Sequence, residues 1–248
     1  MRSSTRRRYW LRLCALCAFA IDLGGLTADV LDGSVAPFEA GGTPTGAPYV
    51  LFEYPDGSHP VWDCSDPIGV AVNLRNIPTA EHRSLVADLA AAIEDIHEHS
   101  AFRFTLMGHT DAIPTTRWAR EWHQHSPAAR VVVSFGDATD TNLFEPGAAA
   151  MGGVFARRTL AGETRAHAGY VYVHTAHLGD YRPGRGYLSR VGLFTHELLH
   201  VLGLGHVHPS HADSILTPNL SSSYGRLGPG DEAGLTRLAE LGCPGFLP

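Results

Sequence analysis

Three histidines, one glutamate and one glycine stand at fixed intervals in the stretch Thr195–His206. His196 and His200 are four residues apart, so on a helix their side chains lie one above the other on the same face. Gly203 tolerates a positive φ and can end that helix in a sharp turn. The turn would bring His206 back beside the other two histidines, so the stretch predicts a helix that ends in a cluster of three imidazoles.

Three imidazole nitrogens with a fourth position left open are the ligand set of a catalytic zinc site. Glu197 follows the first histidine, where its carboxylate can reach a water at the site rather than the metal itself. We therefore expect His196, His200 and His206 to bind Zn²⁺ and Glu197 to act as general base. The alternative is an amphipathic helix with surface histidines, and the apolar residues around the motif count against it. These residues are Val191, Phe194, Leu198, Val201 and Leu202.

The pattern H-E-x-x-H-x-x-G-x-x-H resembles the signature of the metzincin zinc peptidases, and the chain is most similar to their small, matrixin-like secreted bacterial members. In that family a turn carrying a methionine follows the signature. Here Asp213–Pro218 resembles that turn, with Leu216 in the place of the methionine. By resemblance Leu216 would form an apolar floor under the metal without binding it. The resemblance extends from Trp62 to Cys243.

Other histidines offer alternatives to this ligand set. His208 and His211 follow closely, and either could replace the third ligand, but only His206 has the family's spacing. A second group of histidines consists of His167, His174 and His177. Its spacing does not match the structural zinc site of matrixins, so we predict polar loop histidines there rather than a second zinc.

Oxygen-bearing side chains are concentrated in the loop between Gly136 and Gly147. They belong to Asp137, Asp140, Asn142 and Glu145. Oxygen ligands at this density can bind Ca²⁺, although their spacing is not that of an EF-hand. The sequence favours a solvated loop and leaves a calcium site as the alternative.

Composition limits the class of protein. With 248 residues and 44% hydrophobic content, the chain is long enough for one domain with a sizeable core. A net charge of −6 and a pI near 6.2 argue against a nucleic-acid partner. We expect a monomer that acts on a protein or peptide substrate.

Residues 1–28 have the pattern of a secretory signal peptide. Several arginines precede an apolar stretch from Leu11 to Ile21, and small residues offer cleavage sites at Ala18–Ala20 and Leu26–Ala28. The apolar stretch is too short to span a bilayer comfortably. We therefore expect a secreted, extracellular protein with no stable membrane association after cleavage; an uncleaved membrane anchor is the alternative.

Residues 29–60 are rich in glycine, proline and small residues, which predicts a linker or a short prosegment. Residues 61–248 would then form the catalytic domain.

Four cysteines divide between these segments. Cys14 and Cys17 would leave with the signal peptide, so Cys64 and Cys243 would remain in the mature chain. In an oxidising compartment, a lone pair of cysteines most simply forms a disulfide. The alternative is a latency switch in which the Cys64 thiolate binds the zinc.

Hydrophobic periodicity predicts five strands and three helices in the domain. The strands are Ile68–Asn73, Phe102–Met107, Arg130–Phe135, Gly152–Arg157 and Gly169–His174. The first helix starts at Pro78–Thr79 and runs to His99, the second is the metal helix, and Pro229 opens the third. The apolar residues of the third helix are Leu235, Leu238, Ala239 and Leu241.

This order of elements is that of the metzincins. The resemblance implies an α/β class and a metzincin-like zincin fold. It would contain a five-stranded mixed sheet with one antiparallel edge strand, a backing helix, the active-site helix and a small C-terminal subdomain.

The function that follows is a secreted zinc endopeptidase. By resemblance Gly152–Arg157 would be the edge strand, to which the substrate adds as a further strand; such an edge recognises backbone with little regard for side chains. Two alternatives stay open. One is a non-catalytic secreted binding protein that keeps the fold, although Glu197 would then have no use. The other is an aminopeptidase, which needs an acidic group that captures the substrate amine.

Overall fold

The structure is a computed structural model, and it describes residues 46–54, 56–115, 129–137, 139–143, 147–218 and 225–246. The predicted signal peptide 1–28, its two cysteines, the predicted linker as far as residue 45, and Glu145 lie outside the described residues.

The described residues form seven strands and four helices. The strands are β1 (Val50–Leu51), β2 (Ile68–Asn73), β3 (Phe104–His109), β4 (Val131–Gly136), β5 (Ala150–Arg158), β6 (Thr164–His174) and β7 (Leu204–Gly205). The helices are α1 (Thr79–His99), α2 (Thr175–Leu178), α3 (Arg190–Leu202) and α4 (Pro229–Gly242).

Five of these strands form a mixed sheet in the order β3-β2-β4-β6-β5. The pairs β2–β3, β2–β4 and β4–β6 are parallel, whereas β5 runs antiparallel to β6 at the edge of the sheet. The predicted α/β class, the five-stranded mixed sheet and the antiparallel edge strand are therefore confirmed. Strands β2 and β4 are short, rich in Val and buried along their whole length, as expected for parallel strands covered on both faces.

Helices α1 and α3 pack together on one face of the sheet and enclose the main hydrophobic core. Five apolar residues at helical spacing on α1 are buried against this core. They are Leu85, Leu89, Ala92, Ile93 and Ile96. The opposite face of the sheet carries a smaller cluster around Tyr170 and Phe155, against which the loop residues Ile113 and Leu143 pack.

A buried ion pair joins α1 to the start of α3. Arg190 Nε donates to Asp88 Oδ2 at 2.6 Å, and the backbone N–H of Gly184 donates to Asp88 Oδ1 at 2.8 Å. The Arg190 side chain is 4% exposed. Removing one partner of such a pair leaves a buried charge uncompensated, so the pair stabilises the packing of the start of α3 against α1.

Several details differ from the sequence prediction. Strand β3 begins at Phe104 rather than Phe102, because Phe102 is buried in the core ahead of the hydrogen-bonded segment. Leu241 is 36% exposed and does not belong to the apolar face of α4. Helix α3 is buried on all sides, not on one stripe only, since α1, the sheet and the N-terminal residues surround it.

An N-terminal strap, defined as residues 48–54 and 56–64, crosses the C-terminal end of α3 and the side of α4. Its strand β1 pairs antiparallel with β7, and Trp62 Nε1 donates to the carbonyl of Val201 at 2.7 Å. The boundary predicted at residue 61 remains a prediction. The strap nevertheless shows that the end of the preceding segment packs on the domain.

Cys64 and Cys243 form a disulfide with their Cα atoms 5.0 Å apart. The predicted disulfide is confirmed, and it leaves no Cys64 thiolate to act as a latency ligand. The bridge ties the end of the strap to the end of α4. Within the part of the chain that the structure describes, no helix is long and apolar enough to cross a membrane.

Candidate metal centre

Helix α3 is delimited by two local signals. Ser189 precedes it, and its Oγ accepts a hydrogen bond from the N–H of Gly192 at 3.0 Å, which is the usual role of an N-cap serine. Gly203 ends it with φ at 114°, and its N–H donates to the carbonyls of Leu199 and His200. The helix and its glycine stop are as predicted.

The three histidines of the motif come together at the C-terminal end of this helix. The Nε2 atom of His196 lies 3.0 Å from that of His200 and 3.1 Å from that of His206, and the other two are 3.2 Å apart. Among the described residues, this is the group of at least three His, Cys, Asp or Glu side chains whose ligand atoms converge.

Backbone carbonyls fix the orientation of two of the rings. The Nδ1 atom of His196 is 2.7 Å from the carbonyl oxygen of Ile215, and that of His200 is 2.7 Å from the carbonyl oxygen of Leu204. A carbonyl only accepts hydrogen bonds, so each Nδ1 carries the proton and each Nε2 carries a lone pair. Lone pairs that face one another at this distance repel, and a cation between them removes the repulsion.

The donor set and its spacing fit zinc. With Zn–N distances of about 2.0–2.1 Å, two ligands of a tetrahedral site are about 3.3 Å apart, close to the spacing of these nitrogens. His196 and His200 are buried, whereas His206 is exposed, so the cluster is open to solvent on the side of its third member. An open side is what separates a catalytic zinc site from a closed structural one.

Burial also sets the protonation of the two inner ligands. Desolvation, and then the neighbouring His206, lowers the pKa of His196 to about 3. The same two causes, with His196 in addition, hold the pKa of His200 well below 6.5. Both rings are therefore neutral at physiological pH, which is the form that binds a metal ion.

The turn Asp213–Pro218 lies under the cluster. Leu216, the residue in the methionine's place, is fully buried in the main core. Asp231 at the start of α4 holds the turn: its carboxylate accepts hydrogen bonds from Ser214 Oγ at 2.5 Å and from the N–H of Ile215 at 2.9 Å. The carbonyl of Ile215 faces His196, and the N–H of Ile215 is bound by Asp231. Asp231 therefore supports the orientation of His196 through Ile215.

Glu197 is 4% exposed, and burial raises its pKa from 4.5 to about 8. A hydrogen bond from the N–H of Gly152 partly offsets the effect of burial by stabilising the ionised form. A carboxylate with a pKa this close to neutrality can both take up and release a proton at neutral pH.

Edge strand β5 crosses directly over α3 at this glutamate. A side chain at Gly152 would collide with the backbone of Glu197, and one at Gly153 would collide with the ring of Tyr170. Gly152 therefore allows the strand to approach the helix closely, and Gly153 makes room for the Tyr170 ring of β6. Within the described part of the chain β5 has one strand partner, β6, so it is an edge strand beside the candidate site.

The alternative ligands do not join the cluster. His208 Nδ1 contacts Ser210 Oγ at 2.9 Å, and neither it nor His211 belongs to the converging group. His167 and His174 lie in β6 and His177 in α2, so the predicted loop positions are wrong for this second group.

The possible calcium loop receives no support. Asp140 Oδ2 accepts hydrogen bonds from the N–H of Asp137 at 3.0 Å and from the hydroxyl of Tyr172 at 3.3 Å. Asp137 Oδ1 accepts one from Thr175 Oγ1 at 3.2 Å. These carboxylates are engaged with protein donors, and no acidic group among the described residues converges as a cation site.

Sequence reasoning missed three features of the site. The pair Gly152–Gly153 in a strand is itself a signal of close backbone approach. Asp231 at the third position of a helix opened by Pro229 is also a recognisable helix-start residue, and it accepts from the N–H of Gly228 at 2.8 Å. The contact between the strap and the metal helix has no local signal.

The chain was also compared with known proteins. No protein-family model matches it, and no curated protein matches it. Among solved structures it is similar to archaemetzincin from Methanopyrus kandleri, with 16% sequence identity and a TM-score of 0.41, over 70% of this chain and 96% of that one. A similarity of this extent leaves the activity to be argued from the chain's own residues.

Proposed function

We propose that this chain is a secreted zinc-dependent endopeptidase. The observation that carries the proposal is the convergence of the Nε2 atoms of His196, His200 and His206 within 3.0–3.2 Å of one another. The buried Glu197 lies in α3, the helix that also carries His196 and His200. The tautomers of the two inner rings support a cation at their centre, and the three-nitrogen donor set supports zinc.

In the proposed reaction the three histidines bind the metal, and Glu197 transfers protons. A bound zinc supplies Lewis acidity, which brings the pKa of water towards 7 and polarises a carbonyl. Glu197 takes the proton of the attacking water as general base and later passes it to the leaving amine. The position of this buried carboxyl, next to His196 in the helix that also carries His200, supports both steps.

The position of β5 at the edge of the sheet, beside Glu197, supports an extended peptide as substrate. A peptide that adds to this edge is bound through its backbone and runs past Gly152, which donates to the Glu197 carboxylate. A peptide added at a sheet edge can continue in both directions. This favours cleavage within a chain over an aminopeptidase, which requires capture of a free amine.

Secretion is supported by the Cys64–Cys243 disulfide, since such bonds persist in oxidising compartments. We propose that residues 1–28 act as the signal peptide and that the mature enzyme is a monomer. The packing of β1 on β7 supports extending the catalytic unit upstream of residue 61 to include the strap.

The test is zinc content and cleavage of denatured casein by the mature protein and its Glu197→Ala variant. The variant should keep zinc and lose about 10²–10⁴-fold in rate, because only the general base is removed. Glu240→Ala, the same substitution at an exposed helix position, should leave both quantities unchanged. A chelator should abolish cleavage in the parent, and zinc should restore it.

The outcomes separate the alternatives. A parent protein that binds zinc and cleaves nothing is a binding protein. Products shortened only from the amino terminus, seen by mass spectrometry, indicate an aminopeptidase. A Glu197→Ala protein that cleaves at the parent rate contradicts the proposed mechanism.

A further inference from the structure

The N-terminal strap touches the metal centre at one side chain. The ring of Phe52 stacks on the ring of His200, with centroids 5.7 Å apart and planes 15° from parallel. Phe52 is 4% exposed, so this contact is inside the protein. The hydrogen bond from Nδ1 to the Leu204 carbonyl still allows the imidazole of His200 to tilt about that bond. The stacked ring of Phe52 restricts this tilt.

The backbone of the same segment holds the chain that leads to the third ligand. The N–H of Phe52 donates to the carbonyl of Gly203 at 2.7 Å, and β1 pairs with β7 through Val50–Gly205 and Leu51–Leu204. Strand β7 supplies the Leu204 carbonyl that orients His200 and runs directly into His206. One short segment therefore supports two of the three candidate ligands.

We propose that Phe52, together with β1, is a positioning element of the metal centre that sets the geometry of His200 and His206. This inference rests on the proposed zinc site. It also means that the strap is part of the catalytic unit and not a removable linker. A chain shortened by proteolysis keeps its full metal affinity only if it retains Val50–Phe52.

Metal affinity is the property that distinguishes positioning from simple core packing. Outer-shell residues that orient metal ligands typically change metal affinity about 10- to 100-fold when they are removed. A core residue remote from the site changes the free energy of unfolding without changing the affinity of the folded protein. Phe104 provides the matched control, since it is also 4% exposed and lies in β3 at the far edge of the sheet from β5.

The experiment measures Zn²⁺ affinity, by competition with a chromophoric chelator, and the visible absorption spectrum of the Co²⁺ form. Phe52→Ala and Phe52→Leu should each bind Zn²⁺ about tenfold or more weakly than the parent, with an altered Co²⁺ spectrum. Phe104→Ala should match the parent in both readouts. Phe52→Leu keeps most of the buried apolar volume, so it provides the test even where the alanine variant does not fold.

The opposite result is that both Phe52 variants bind Zn²⁺ as tightly as the parent and Phe104→Ala do. That result would overturn this inference and leave the proposed zinc site unaffected. A parent protein that binds neither Zn²⁺ nor Co²⁺ would overturn the proposed function, and this inference with it.

Discussion

The two histidine groups of the molecule contain the same residue type and differ in what the Nδ1 atoms contact. In the metal centre, the Nδ1 atoms of His196 and His200 are tied to backbone carbonyls, which turns both Nε2 atoms towards a common point. In the second group, His174 Nδ1 accepts from the N–H of Ala176, and His177 Nδ1 contacts Asp180 Oδ2 at 3.2 Å.

This difference in the partners of Nδ1 shows what a group of neighbouring histidines needs in order to bind a metal. The rings of His174 and His177 also touch, with centroids 5.2 Å apart, but their nitrogens serve local contacts of α2. Proximity of imidazoles is therefore not sufficient. In the candidate metal centre a backbone carbonyl occupies Nδ1 of His196 and of His200, so the Nε2 atom of each ring is left to bind a metal.

The largest effect is expected when one ligand of the candidate metal centre is removed. His200→Ala should lose stoichiometric zinc and peptidase activity together, because two remaining imidazoles bind zinc poorly. His177→Ala should keep both, since its ring lies outside the converging group. Metal analysis of the two purified variants checks this; equal zinc content in both would remove the basis of the comparison.

A second, smaller effect concerns the metal-free protein, studied with a chelator present. His196 and His200 stay neutral in the folded state, since burial lowers their pKa values. In the unfolded chain they take up protons below about pH 6.5. Glu197 acts in the opposite direction: with its pKa raised to about 8, the folded state holds a proton that the unfolded state releases above about 4.5.

The sign of the pH dependence follows from these differences. Counting these three groups, between pH 6.5 and 4.5 the unfolded state gains two protons, on His196 and His200, against one that the folded state holds on Glu197. His97, whose pKa burial also lowers, acts in the same direction as the two ligands. The free energy of unfolding should thus fall by about 1.4 kcal/mol per unit of acidification. Between pH 6.5 and 8 only Glu197 acts, and stability should fall by a similar amount per unit as the pH rises.

Urea denaturation from pH 4.5 to 8 should therefore give a maximum near pH 6.5. In His200→Gln one histidine and Glu197 should nearly cancel, so the acid limb should flatten. A metal-free protein whose stability rises steadily from pH 6.5 to 8 contradicts the raised pKa of Glu197.

The smallest effect belongs to the second histidine group. His174 caps α2 by accepting from the N–H of Ala176 at 3.2 Å, so His174→Ala should lower the free energy of unfolding by about 1 kcal/mol or less. His177→Ala removes an exposed contact with Asp180 and the ring contact with His174, and it should cost less still. Denaturation at neutral pH gives both numbers, and zinc content should stay at the parent value in each.

Local patterns predicted most of the fold and the three converging histidines. Helical spacing placed His196 and His200, the glycine stop placed His206, and runs of β-branched residues located β2 and β4 within one residue at each end. Each of these features depends on neighbours in the chain, which a periodicity can detect.

The supports of the site were not predicted, because they act between distant parts of the chain. Phe52 reaches His200, and Asp231 reaches Ile215, through contacts that no repeat of three, four or two residues encodes. The same reason explains why α3 is buried on all sides. Its sequence indicates one apolar stripe, while the strap and β5 cover the remaining faces.

The Cys64–Cys243 bridge joins residues that are 179 positions apart, so β2 to α4 and all three candidate ligands lie within one covalent ring. The proposed peptidase would be exposed to its own activity, and the hairpin tip at Leu160 is fully exposed. A single nick there would open the ring without releasing a fragment. The two pieces would stay tethered and keep their packing, so such damage would be seen on an electrophoresis gel only after reduction.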